Sequence, residues 1–129
     1  MRILVAYGSL PLGARILRRV SGIQNAEVVA QVRDMEKIIP EILLEKPHLV
    51  ILDMFFDTGS GLEVLKGIRR QSPSPLVIVS SASAFPQYRK ECMKEGADFF
   101  FSLPDEIEKM SQAITELAND FLIHGGGKG

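Results

Sequence analysis

Asp53 directly follows the apolar run Leu49-Val50-Ile51-Leu52, and Ser80-Ser81 directly follow Leu76-Val77-Ile78-Val79. A carboxylate placed this way can hold a hard cation or accept a transferred group, and a nearby hydroxyl can donate to it. Asp57, four residues on, offers a second carboxylate. An aspartate at a strand end can equally bond the N–H groups of the following loop in an Asx-turn. Other chemistries find less support. His48 opens the run that Asp53 closes, and five residues at roughly 3.3 Å each place them about 16 Å apart, too far for an acid–base pair. Cys92, the only cysteine, has no adjacent histidine or basic cluster and reads as a packed thiol. No phosphate-binding or dinucleotide glycine pattern follows the first apolar run. The absence of a convergent His, Cys or metal set leads us to expect a protein that is not an enzyme.

The elements that must hold these residues alternate along the chain. Five short apolar runs (Ile3–Ala6, Glu27–Ala30, Leu49–Leu52, Leu76–Val79 and Phe99–Phe101) are continuous rather than alternating, as in strands covered on both faces. Between them lie helix-period segments. Met35, Ile38, Ile39, Ile42 and Leu43 share one predicted face, and Ile107, Met110, Ile114, Leu117 and Phe121 another. Ser21-Gly22, Lys46-Pro47, Ser72–Pro75 and Glu95-Gly96 stand where helices should stop, and Pro86 and Pro104 where helices should start. Strict β-α alternation implies an α/β fold with a five-stranded parallel sheet and helices on both faces. In such a sheet, sites form beyond the carboxyl ends of the strands. Asp53, Ser80 and Ser81 all fall there.

The 129 residues suit one domain, expected over 1–123, with a flexible Gly-rich tail at 124–129. Fifteen Lys+Arg against sixteen Asp+Glu, a net charge of -1, argue against nucleic acid as a partner. No apolar run approaches the roughly 20 residues of a membrane span. A single cysteine fits a reducing compartment, and a cytoplasmic location is expected. The arginines Arg15, Arg18 and Arg19, like Lys66, Arg69 and Arg70, are read as cations closing helix C-termini.

Four segments, Leu49–Asp53, Gly59-Ser60-Gly61-Leu62-Glu63, Val77–Ala82 and Gly96-Ala97-Asp98, resemble the receiver domain of bacterial two-component response regulators. The resemblance covers about Met1 to Asn119. It implies a flavodoxin-like (βα)5 fold with strand order 2-1-3-4-5, and a signalling module that works through protein contacts. Asp53 matches the family's phospho-acceptor, Ser81 its switch hydroxyl and Phe100 its switch aromatic. Pro104 matches the proline after the site lysine, with the cis bond typical of that pair. Departures are equally specific. Tyr7 and Gly8 stand where the family has its acidic pair, and Leu103 stands where it has lysine. That leaves Asp53 and Asp57 as metal-ligand candidates, so the expectation is no cofactor or weakly bound Mg²⁺. Phosphorylation control is then weak or absent, as in a pseudo-receiver; the rival reading is a small-molecule-binding flavodoxin-like domain. Partners implied are a sensor histidine kinase, a phosphotransfer protein or an output protein, with a homodimer as a further option. Phe85, Tyr88, Phe100 and Asp105 are expected on the partner face.

Overall fold

In the computed structural model, which describes residues 1–125, seven strands and five α-helices follow one another. The long strands are β1 (Arg2–Ala6), β2 (Glu27–Val32), β3 (Leu49–Asp53), β6 (Leu76–Ser81) and β7 (Phe99–Ser102). They form one parallel sheet in the order β2-β1-β3-β6-β7, the expected 2-1-3-4-5 order of the long strands. The helices are α1 (Leu10–Ser21), α2 (Ile38–Glu45), α3 (Gly61–Arg69), α4 (Pro86–Lys94) and α5 (Ile107–Asp120). A π-type turn over Phe121–Gly125 follows α5; of the predicted tail, residues 126–129 lie outside the described residues. No helix among the described residues is long and apolar enough to cross a membrane.

Successive side chains point to opposite faces of a strand, so each central strand feeds two cores. Leu4, Val50, Leu52, Val77 and Val79 face α2, α3 and α4, whereas Ile3, Val5, Ile51 and Ile78 face α1 and α5. β3, buried along its whole length, runs through the middle. Phe100 enters the first core, while Phe99 and Phe101 stack at 5.9 Å on the second face. Cys92 is fully buried, its Sγ 3.5 Å from the Met54 sulfur. Burial pushes the thiol up to about 11, with Glu91 adding to the shift.

Local chemistry sets the helix ends. Ser9 and Ser60 cap α1 and α3, their hydroxyls accepting the N–H groups of Leu12 and Leu62. Pro86 opens α4 as expected. Pro104 does not open a helix: it lies in a turn closed by the Glu106 N–H on Ser102 O, and α5 starts at Ile107. The segment from Met35 also starts differently. Asp34 caps a single 3₁₀ turn over Met35–Lys37, and α2 begins at Ile38, which puts Pro40 in the first turn where its missing N–H costs no bond. The buried stripe of this short helix narrows to Ile38 and Ile42, and Leu43 points to solvent.

Arg69 does more than close α3. Its Nε and Nη2 donate to Gly96 O at 2.8 and 2.6 Å, and Nη1 donates to Ser74 Oγ and Pro75 O at 2.6 and 2.7 Å. Nη2 also meets Asp98 Oδ2 at 2.9 Å, and that same oxygen accepts the Val77 N–H. One guanidinium thus joins the loops before β6 and β7. Gly96 is required there, since its φ of 103° is a conformation other residues rarely adopt.

Candidate functional site

β1, β3 and β6 end side by side, Asp53 being in register with Ser80. The Asp53 carboxylate is buried, only 2% exposed. Its Oδ2 accepts the Gly8 N–H at 3.0 Å and its Oδ1 the Phe55 N–H at 3.2 Å. Burial raises its pKa above the ordinary aspartate value; the amides of Gly8, Phe55, Ser9 and Met54 pull the other way without reversing it.

A short antiparallel hairpin, β4 (Phe55–Phe56) and β5 (Gly59–Ser60), folds over this strand end. It places the Phe55 backbone against Gly8: a Cβ on residue 8 would overlap the Phe55 carbonyl oxygen. Gly61 is confined in the same way by the Asp53 carbonyl, which a Cβ there would meet. The hairpin leaves a cleft of about 230 Å³ in which Asp53 lies deep between Leu12, Phe55 and Phe56, with exposed Asp57 in the hairpin turn.

The other expected site residues are close in the fold but differently engaged. Ser81 is fully buried, and its hydroxyl both donates to Ser83 O and accepts the Ser83 N–H at 3.0 Å, a loop-forming pair. Ser80 carries the orphan: its Oγ is buried without a partner among the described residues. Leu103 is 3% exposed within the α1/α5 core, its N–H donating to Ser81 O at 2.7 Å. Tyr7 turns into the same core, its ring against Gly13, where a Cβ would strike it. The Leu103–Pro104 bond is cis, as the resemblance implied. Phe100 is 3% exposed and so does not join the surface face expected of it; Phe85 and Tyr88 do, in edge-to-face contact at 5.8 Å. Phe55 extends that line, 5.4 Å from Tyr88.

Among the described residues, no three His, Cys, Asp or Glu side chains come together as a metal site. The cleft offers two carboxylates, exposed Asp57 and Asp53 with its oxygens tied to amides, which would leave most of an octahedral Mg²⁺ shell to water. In the structure, the Asp53 oxygens hold the loop amides of Gly8 and Phe55. Asp53→Asn is accordingly expected to change stability by no more than about 1 kcal/mol at neutral pH, relief of the buried charge offsetting one lost acceptor. The sign of its pH dependence follows from the raised pKa. The folded state binds the extra proton, so wild-type stability from this group falls as pH rises through the folded-state value, and the Asn variant gains on wild type across that window. Urea titrations of both proteins between pH 4 and 8 would read it; a several-kcal/mol loss in the variant would mean both carboxylate oxygens are indispensable.

Sequence reasoning missed the hairpin and its carbonyl over Gly8. The available signals were a turn former, Asp57, between Phe55-Phe56 and Gly59-Ser60, and a glycine at a strand end.

Residues 11–115 match the response regulator receiver domain family. Among curated proteins, the chain is 25% identical over 111 residues to the DNA-binding transcriptional activator EvgA of Escherichia coli K12, covering 86% of this chain and 54% of EvgA. It is 30% identical over 95 residues to the probable C4-dicarboxylate response regulator DctR of Bacillus subtilis, covering 74% of this chain and 42% of that protein. The chain therefore spans about half the length or less of these relatives. Among solved structures, the NarL receiver domain of Mycobacterium tuberculosis superposes with a TM-score of 0.81 at 19% identity, covering 92% of this chain and 95% of that one. The response regulator domain of Thermotoga maritima CheB gives 0.78 at 20% identity, covering 93% and 94%. Both likenesses concern the fold.

Proposed function

Because this chain belongs to the response regulator receiver domain family, we infer that it is a docking module of two-component signalling in which Asp53 anchors loops and is not a Mg²⁺-dependent phosphoryl acceptor. The observation that carries this reading is the Phe55 backbone lying where a side chain on residue 8 would begin. Position 8 matches one of the two family acids, and position 7 points its Tyr ring into the core. The Asp53 oxygens already accept two amides, and Leu103, at the lysine position, offers no charge. A phosphoryl group would add almost two negative charges beside Asp57, with Leu103 where the family's lysine would meet them.

Contact with proteins is supported by the exposed rings of Phe55 and Phe85, 40% and 67% accessible, held by Tyr88 between them. Rigid, exposed aromatic rings are effective interface anchors. A histidine kinase, a phosphotransfer protein, an output protein or a second copy of the chain would each be met through such a surface. The activity of any longer protein containing this domain would then be set by what binds here.

The test is Mg²⁺ titration monitored by amide shifts at Gly8 and Phe55, followed by acetyl-phosphate labelling. We expect no saturation below about 1 mM, the consequence of too few hard ligands, and no labelled protein by mass spectrometry. Labelling that disappears in Asp53→Asn would overturn the reading.

A further inference from the structure

We propose that Arg89 is a positioning residue that latches Phe100 in its inward position, so that this ring stays put whatever happens at Asp53. The inference deepens the docking-module reading and rests on it. Three contacts converge on one guanidinium, and two more hold the carboxylate it meets. Arg89 Nη1 donates to Phe100 O at 2.8 Å, and the guanidinium carbon lies 5.1 Å from the centre of the Phe100 ring. Nη2 donates to Glu106 Oε1 at 2.8 Å, and that oxygen also accepts the Ser102 N–H at 2.8 Å. Lys109 lies 3.5 Å from the second Glu106 oxygen and helps hold the carboxylate.

The geometry closes a loop through three elements. Arg89 comes from α4, Phe100 and Ser102 from β7, and Glu106 from the turn before α5. For the ring to swing outward, it must enter the volume that the guanidinium fills. The guanidinium cannot step aside without giving up a carbonyl, a carboxylate and a ring face together. Its planar fork suits this three-way role, whereas a lysine would retain a charge but not the paired donors. The Ser81 hydroxyl is bonded within its own loop, to the Ser83 backbone. A ring pinned in this manner makes the α4–β7–α5 corner a surface of one fixed shape.

The experiment is NMR on the whole chain, without Mg²⁺ or phosphodonor: relaxation dispersion of the Phe100 ring and hydrogen exchange of the Ser102 amide. Wild type and Asp53→Asn should show one Phe100 ring environment with the same shifts. Arg89→Ala should bring microsecond–millisecond exchange to Phe100 and speed Ser102 exchange about tenfold or more, through local opening of this corner. Should Arg89→Ala fail to fold, Arg89→Lys serves, with a smaller increase at the same two residues. A folded variant with Phe100 and Ser102 unchanged would overturn the latch, as would a Phe100 shift in Asp53→Asn. Because no phosphodonor is present, labelling of Asp53 in the separate assay would defeat the functional reading and leave the latch to be judged by its own data.

Discussion

Replacing Gly8 by aspartate, which restores one family acid, is expected to destabilise the protein by about 3 kcal/mol or more. Two costs add. The new Cβ overlaps the Phe55 carbonyl oxygen and comes within 2.9 Å of the Phe56 Cα, so the contact is with backbone and a rotamer change cannot relieve it. The new carboxylate would also share a buried site with Asp53, whose proton affinity is already raised by burial, with Leu103 where a lysine could have balanced the pair. Gly8→Ala separates the terms, since it keeps the overlap and omits the charge; about 1–3 kcal/mol is expected for it alone. Chemical denaturation of the three proteins gives the comparison. A Gly8→Asp protein as stable as wild type that also gains Mg²⁺ affinity would show the hairpin to be a movable cover.

Arg69→Ala is expected to cost about 2–4 kcal/mol, the largest effect foreseen for a side chain outside both cores. The guanidinium is a quarter exposed, yet it serves two carbonyls, a hydroxyl and a carboxylate. Its removal leaves Gly96 O and Pro75 O without these donors and frees the loops that deliver β6 and β7 to the sheet. Arg69→Lys should recover little, because one ammonium cannot span both loops. Equilibrium urea denaturation would measure both variants; a loss below about 0.5 kcal/mol, the level of an ordinary surface change, would contradict the assignment.

These two positions show how unevenly the sequence spoke. Strands buried on both faces are continuous apolar runs, so the parallel sheet was legible from Ile3–Ala6, Leu49–Leu52 and Leu76–Val79, whereas its strand order came only with the family resemblance. The family resemblance rested on the second and third of those runs, with the residues just after them, and on Gly59–Glu63 and Gly96–Asp98. What could not be read was direction and reach. Arg69 in the last turn of α3 satisfied a rule about helix ends, and nothing in local spacing revealed that its side chain turns toward residues 74, 75, 96 and 98. Gly8 was legible as a missing ligand but not as an occupied place, because the occupant is main chain from 47 residues further along. Phe100 was assigned correctly to a strand; expected on the partner face at the hinge between site and surface, it instead lies 3% exposed in the core against α2, α3 and α4. Leu43, expected on the same face as Ile38 and Ile42, is instead exposed, the short α2 burying only those two.

The one thiol turns out to be a convenient clock. Thiolates, not thiols, react with alkylating reagents. Cys92 is sealed in the core with its ionisation pushed up to about 11, so the native molecule offers a reagent neither access nor an appreciable thiolate fraction near neutral pH. Modification must then wait for the domain to open, when an ordinary cysteine becomes exposed. Under conditions where reclosing outruns the reagent, the observed rate is the intrinsic rate multiplied by the open fraction. A 1.4 kcal/mol loss of stability thus appears as about a tenfold faster reaction, provided opening is global. Dilute native samples can therefore be ranked with no denaturant and no optical probe, in a chain whose composition includes no tryptophan to follow.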